Sequence, residues 1–224
     1  ELKTQSIADY AVFSNIEWRH KESLVLRSGL RYAYNTNYKA PLIPSLHLRY
    51  KIKNCIIRSS FAKGFRAPSL KEQYFNFVDI NHNIVGNENL NAETSNNFQI
   101  SNNFKKRLEN SSFFEQKVSL FYNELSQMIT LANISDQEYK YVNIGEFRSK
   151  GIRTTLAYIA NTYSINYLFS YLGRYNTLST DEQIDRFAYS HDHSFSLTKS
   201  FDGIRTSIGL FYKRNGKFPS YVLS

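Results

Sequence analysis

An antiparallel transmembrane β-barrel, all-β and supplied in part by this chain as about ten strands, is the fold class that three features of the sequence predict. Segments of about ten residues alternate between apolar and polar positions, the repeat expected of a strand with lipid on one side and water on the other. The links between them are short and long in strict turn. No apolar run approaches the ~18 residues a membrane-spanning helix requires, although 42% of the 224 residues are hydrophobic and 16% are aromatic.

The strands are read by period two in chain order, over 6–18, 23–35, 45–52, 55–63, 94–104, 113–123, 149–159, 163–175, 191–201 and 204–212. The second places Leu24, Leu26, Leu30, Tyr32 and Tyr34 on one face and Arg27, Gly29, Arg31 and Asn35 on the other. The eighth sets Tyr163, Ile165, Tyr167, Phe169, Tyr171 and Tyr175 against Ser164, Asn166, Ser170 and Arg174. Tyr at both of its ends predicts aromatic girdles at the two membrane interfaces.

Links after the odd strands are short and polar, around Arg19, Lys53, Leu108, Asn161 and Asp202-Gly203. The alternate links, 36–44, 62–91, 125–148 and 177–190, are longer and mix polar with aromatic residues. An up-and-down barrel produces this parity, because every odd link lies on the same rim. A soluble sandwich would break it with crossover links.

Composition excludes other classes. The single Cys55 permits no internal disulfide and has no metal-ligand spacing around it. The net charge of +9 is spread through strands and turns with no dense Lys/Arg block, so no nucleic-acid partner is expected. No GxSxG, HExxH, P-loop or GxGxxG pattern is present, and the chain is not expected to be an enzyme. His193 with Ser194 is the one pair that a hydrolase reading could use. His191 and His193 share a strand face and could hold a metal, with no third ligand visible. No metal site is expected.

The 62–91 link carries the most information, since long loops on rigid scaffolds usually carry function. Arg66 could hold carboxylates or carbonyls within the loop, Pro68 fixes a turn, and Gly86-Asn87 reads as a turn before re-entry into the next strand. Glu93 is expected at the rim with an arginine partner. Bracing of the loop against the barrel wall is one reading of these residues, and direct ligand contact is the other. His82 between Asn81 and Asn83 could be a turn residue or an axial ligand to haem iron. Tyr74, Phe75, Phe77, Tyr139 and Tyr141 could line an apolar basin or pack loop on loop.

Phe65-Arg66-Ala67-Pro68 and Asn87-Glu88-Asn89-Leu90, followed by Glu93-Thr94, resemble the FRAP and NPNL boxes of TonB-dependent outer-membrane receptors, with Glu88 in place of the usual Pro. The later NIGEFRSKGIRTTLAY, with Asn143, Gly151 and the alternating Ile152, Thr154, Leu156 and Tyr158, is similar to a strand opening common in that family. The resemblance implies a barrel of about 22 strands closed by an N-terminal plug. Residues 1–224 would then be a barrel fragment from which the plug and the last strands are absent. The opening ELKTQS shows no secretory leader, and FPSYVLS would leave the final strand unpaired, in keeping with a fragment.

By the same resemblance the protein is expected in the outer membrane of a Gram-negative bacterium. There it would import a scarce metal chelate, a ferric siderophore, haem or cobalamin, with energy supplied by TonB through the plug. Its partners are the TonB complex, outer-membrane lipid and the small-molecule ligand. No cofactor is expected, and haem or a ferric chelate enters only as transported ligand. The ligand-binding loop would present Arg66, Tyr74, Phe75, Phe77, His82, Asn87 and Asn89. The alternatives are a haem-specific receptor using His82, and a passive porin or surface-binding barrel.

Overall fold

The computed structural model describes residues 5–79, 83–108, 111–135, 138–176 and 187–217. The chain runs through β1 (Asp9–His20), β2 (Leu24–Asn35), β3 (Ile43–Ile52) and β4 (Cys55–Arg66), then α1 (Leu70–Tyr74), β5 (Asn76–Val78) and β6 (Asn83–Val85). It continues through β7 (Glu93–Arg107), β8 (Phe113–Ser135), β9 (Glu138–Ile159), β10 (Tyr163–Asn176), β11 (Ala188–Phe201), a 3-10 turn (Asp202–Ile204) and β12 (Thr206–Arg214). Among the described residues no helix is long and apolar enough to cross a membrane.

Ten of the strands form one antiparallel wall, β1-β2-β3-β4-β7-β8-β9-β10-β11-β12, each paired with its neighbours in chain order. They are the ten that the alternation predicts, with ends shifted by a few residues except where β8 and β9 extend into the 125–148 link. Short turns close the odd hairpins, and four of them turn on a left-handed residue: Lys21 (φ 56°), Lys53 (φ 50°), Ser111 (φ 58°) and Arg205 (φ 50°). The short fourth hairpin, around Asn161, needs none.

The two faces of the wall differ as the alternation requires. On β2, Leu30, Tyr32 and Tyr34 are 47%, 61% and 57% exposed, while Ala33 and Asn35 opposite them are 6% and 4% exposed. Direct cross-strand pairs carry the apolar face sideways: Leu26 to Leu48, Leu46 to Phe61, Phe61 to Phe98, Ile100 to Leu120, Leu120 to Ile152, and Ile152 to Tyr171. An apolar surface this continuous has no place in water. It is the lipid face. Rings gather at its two ends, with Tyr171 stacked on Tyr189 at 4.9 Å toward one rim and Tyr158 stacked on Tyr163 at 5.6 Å toward the other.

The 125–148 link departs from the expected loop. β8 runs 23 residues and β9 22, paired rung by rung from Phe113–Ile159 up to Ser135–Glu138. Twenty-three residues span about 75 Å, far beyond the ~10 residues needed to cross lipid. Roughly half of the hairpin therefore stands above the membrane. Tyr139 and Tyr141 lie on this β-ribbon and not on a loop.

A charge on the lipid face and one on the inner face should differ in cost. Leu48→Arg should destabilise the full-length receptor by about 2–4 kcal/mol near the bilayer midplane, read as the urea unfolding midpoint in phospholipid vesicles. Asn166→Arg, on the inner face, should leave that midpoint nearly unmoved.

Candidate ligand-facing loop and its brace

The last rung between β4 and β7 pairs Arg66 directly with Glu93. Because directly opposed residues share a face, the Arg66 guanidinium meets the Glu93 carboxylate as a fork, Nε to Oε2 and Nη2 to Oε1 both at 2.7 Å. The remaining nitrogen, Nη1, donates to both oxygens of Glu72 at 3.0 and 2.9 Å. One planar side chain thus ties together the ends of two strands and the first turn of α1.

Glu72 reaches this position by local chemistry. Ser69-Leu70-Lys71-Glu72 is a capping box: Glu72 N–H donates to Ser69 Oγ at 3.2 Å, and the Ser69 N–H donates back to Glu72 Oε2 at 2.7 Å. Burial would raise the Glu72 pKa, but the Arg66 hydrogen bonds and those from Ser69 outweigh it and hold the carboxyl below its ordinary range. Glu93 Oε1 also accepts the Ile129 N–H of β8 at 2.6 Å, so the β8–β9 ribbon joins the same cluster.

The descending half of the loop is fastened by amides. Gly86 N–H donates to the Phe75 carbonyl at 2.7 Å, and Asn87 N–H to the Glu72 carbonyl at 3.0 Å. A Cβ on Gly86 would lie 2.5 Å from the Gln73 carbonyl oxygen, so only glycine permits this approach. Asn87 Nδ2 donates to the Tyr141 carbonyl at 2.9 Å, and its Oδ1 accepts the Asn89 N–H at 3.0 Å. Asn143 exchanges bonds with Asn91, accepting its N–H at 2.8 Å and donating to its carbonyl at 3.1 Å, and donates again to the Gln127 carbonyl at 2.7 Å. Gln73, buried, donates to the Tyr38 hydroxyl of the preceding link. Burial raises the Tyr38 pKa, and the Gln73 bond opposes this only in part.

The expected site residues divide between these roles. Arg66 and Asn87 are engaged in the brace, and Asn89 is held by Asn87 with its side chain exposed. Tyr74 and Phe77 are 38% and 44% exposed at the crest of the loop, and Phe77 stacks on Phe75 at 6.2 Å. His82 lies outside the described residues. Glu72, Gln73 and Asn143 were not among the expected site residues. The capping-box spacing foreshadows Glu72, whereas nothing local marks Asn143, whose partner lies 52 residues away.

Two further pairs resolve on geometry. His193 and Ser194 point to opposite faces of β11 and cannot act together. His191 and His193 lie on the lipid face, their rings 5.5 Å apart, with His193 Nδ1 bonded to the Tyr167 hydroxyl at 2.8 Å. Among the described residues no group of three or more His, Cys, Asp and Glu could hold a metal ion.

Removing the fork should free the loop without unfolding the wall. Arg66→Ala leaves two carboxylates facing each other and should cost the loop about 1.5–3 kcal/mol of local stability, seen as faster amide exchange at Ser69, Gly86 and Asn87. Arg66→Lys should not restore it, since an ammonium cannot grip both carboxylates. A lowered Glu72 pKa also fixes a direction in pH. Its share of stability is complete above the unfolded value of about 4.5 and is lost as pH falls through the folded value. Exchange at Ser69 and Asn87 should accelerate in acid in the parent chain and lose that dependence in Glu72→Gln.

Residues 3–223 match the sequence profile of TonB dependent receptor-like β-barrel proteins. Among solved structures, the hemophore receptor HasR of Serratia marcescens, solved with its hemophore HasA and heme, superposes with a TM-score of 0.71 at 14% identity, covering 93% of this chain and 44% of that one. The siderophore receptor PirA of Pseudomonas aeruginosa gives 0.66 at 16% identity over 93% and 41%, and the FrpB iron transporter of Neisseria meningitidis 0.62 at 18% over 91% and 32%. At these identities the likeness is one of fold, and the chain spans less than half the length of each. No curated protein matches the chain by sequence. The chain belongs to the TonB-dependent receptor β-barrel family.

Proposed function

We propose that this chain is part of the barrel of an outer-membrane active-transport receptor of a Gram-negative bacterium, importing a scarce metal chelate with energy supplied by TonB through a plug that 1–224 does not include. One observation carries the reading: a long loop held at one rim by the Arg66–Glu72–Glu93 cluster, with aromatic side chains at its crest. A porin-like wall has no need of this architecture. Fixing a loop to rigid strands reduces the ordering cost of binding, which suits a receptor for a dilute solute.

Arg66 and Asn87 act here as positioning residues, and Tyr74, Phe75, Phe77 and Asn89 supply the surface that meets ligand. His82 would join them if the cargo is haem. The structural neighbours, receptors for siderophore and hemophore and an iron transporter, support a metal-chelate cargo. Exposed rings suit the flat apolar parts of such ligands. The protein performs no covalent chemistry, and its work is binding and release.

Cells carrying the full-length receptor should accumulate radiolabelled iron from one class of ferric chelate or haem, and lose that accumulation when TonB is absent. Accumulation that persists without TonB would replace the importer with a passive pore. Phe77→Ala should weaken chelate binding to purified receptor by about tenfold, the 1–3 kcal/mol expected of one stacking ring, with the fold intact. Haem affinity unchanged by His82→Ala would remove the axial-ligand role.

A further inference from the structure

We propose that the lipid face of the wall carries a binding site for a phosphate-bearing acyl lipid, with the chain in a groove over Ser59 and the phosphate between Lys63 and Lys150. The proposal goes beyond the importer reading and does not depend on it. This surface turns outward to the bilayer, where a plug seated inside the barrel does not reach. Strands β3, β4, β7, β8 and β9 all have described neighbours in the wall on both sides, so no strand outside 1–224 borders the groove.

Three cross-strand rows lie one above another on this face. The lowest runs Leu48, Ser59, Ile100, the next Phe61, Phe98, Tyr122, Lys150, and the uppermost Lys63, Asn96, Glu124, Arg148. Apolar, aromatic and charged groups thus follow in that order toward the rim of the long links, the order of hydrocarbon, interface and headgroup in a lipid leaflet. An apolar groove of about 490 Å³ lies between the first two rows, running from Leu26 past Ser59 to Tyr122. The short Ser59 side chain makes the hollow, since Leu48 and Ile100 stand taller directly on either side of it. Leu26 lies close to the short turn before β2, and Tyr122 well along β8, so the groove climbs toward the long-link rim.

The width of the groove selects its occupant. Leu48 and Ile100 sit on strands two spacings apart, about 9.6 Å between backbones, and their side chains narrow the opening further. A helix of a partner protein is about 10–12 Å across with its side chains, and helices in membranes associate through small residues, which the groove floor supplies only at Ser59. An extended acyl chain fits. The charge at the upper end then selects the headgroup. Glu124 and Glu146 are taken up by Arg148, at 3.4 and 2.7 Å. Lys63 has no carboxylate within 4 Å among the described residues, and the Lys150 ammonium rests 4.0 Å from the centre of the Phe187 ring. A ring face holds a cation without neutralising it. The two lysines, with Asn96 and Tyr122 between them, therefore offer positive charge and hydrogen-bond donors to a phosphate.

The test uses the full-length receptor purified in detergent: wild type, Lys63→Gln combined with Lys150→Gln, Ser59→Leu to fill the groove, and Ser59→Ala to keep it open. Each is titrated with dipalmitoyl phosphatidic acid, with the diacylglycerol of the same chains, and with inorganic phosphate, and bound molecules are counted by native mass spectrometry. Wild type should bind a single phosphatidic acid about tenfold more tightly than the diacylglycerol, as interfacial lysines favour anionic lipid, and the Gln variant should lose that preference. Ser59→Leu should weaken both lipids about tenfold, because several methylenes lose their seat, while Ser59→Ala binds as wild type does. Equal affinity for the two lipids in wild type, or binding of many lipids that no variant alters, overturns the site in favour of a general lipid coat. Inorganic phosphate bound as tightly as phosphatidic acid overturns the groove in favour of a free anion. A wild-type dimer that Ser59→Leu dissociates overturns it in favour of a second copy of this chain. These readouts need no transport, so they stand or fall separately from the importer reading.

Discussion

Strand register is the constraint on which the rest depends. Side chains alternate with a period of two, so a slip of one residue between β4 and β7 would exchange their faces. Arg66 would then meet hydrocarbon, and Glu93 would lose its partner. The hydrogen-bonded ladder therefore does two things at once. It satisfies backbone groups that lipid cannot, and it delivers Arg66 and Glu93 to the same rung at the rim. Nothing in the loop could make that pairing by itself.

The same alternation sorts charge. Arg27 meets Glu17, and Lys117 meets Glu115, on the inner face, while the lipid face keeps Leu, Ile, Phe and Tyr in lateral contact. Cations on the lipid face stand beside rings, as with Lys150 4.0 Å from the centre of the Phe187 ring and Lys199 5.7 Å from that of Tyr163. Rings let a long amphipathic side chain lie against the wall while its ammonium reaches toward the interface.

The membrane-crossing part of the fold was legible in the sequence because lipid imposes alternation on every strand it touches. Ten strands follow from period two, and their shared rim follows from link parity. The upper halves of β8 and β9 were not legible, for the same reason in reverse. Above the rim neither face meets hydrocarbon, so Asn133, Thr130 and Asn143 can sit among Ile129, Leu131 and Ile144 without a sorted pattern, and Gln127 with its left-handed backbone (φ 58°) interrupts the run. In the loop, the Arg66–Glu93 partnership could be anticipated from position and the Ser69–Glu72 cap from spacing. The Asn143–Asn91 exchange is set only by tertiary folding.

The loop and the ribbon also depend on each other. Among the described residues, β10 pairs with β9 as far as Phe147 opposite Asn176. Above that rung, no wall strand among the described residues pairs with this edge of β9, and a strand edge with free N–H and C=O groups invites association. β6 lies parallel along this edge, with Asn83, Ile84 and Val85 opposite Glu138, Tyr139 and Lys140. Below it, Asn87 bonds the Tyr141 carbonyl and Asn143 closes on Asn91. The ribbon gives the loop a surface to be held against, and the loop covers the edge the ribbon exposes by rising out of the wall. A shortened ribbon would leave β6 without a partner strand, and a shortened loop would leave β9 with a bare edge. The extended 125–148 ribbon and the long 62–91 loop are thus one structural unit, and the aromatic crest is carried by both.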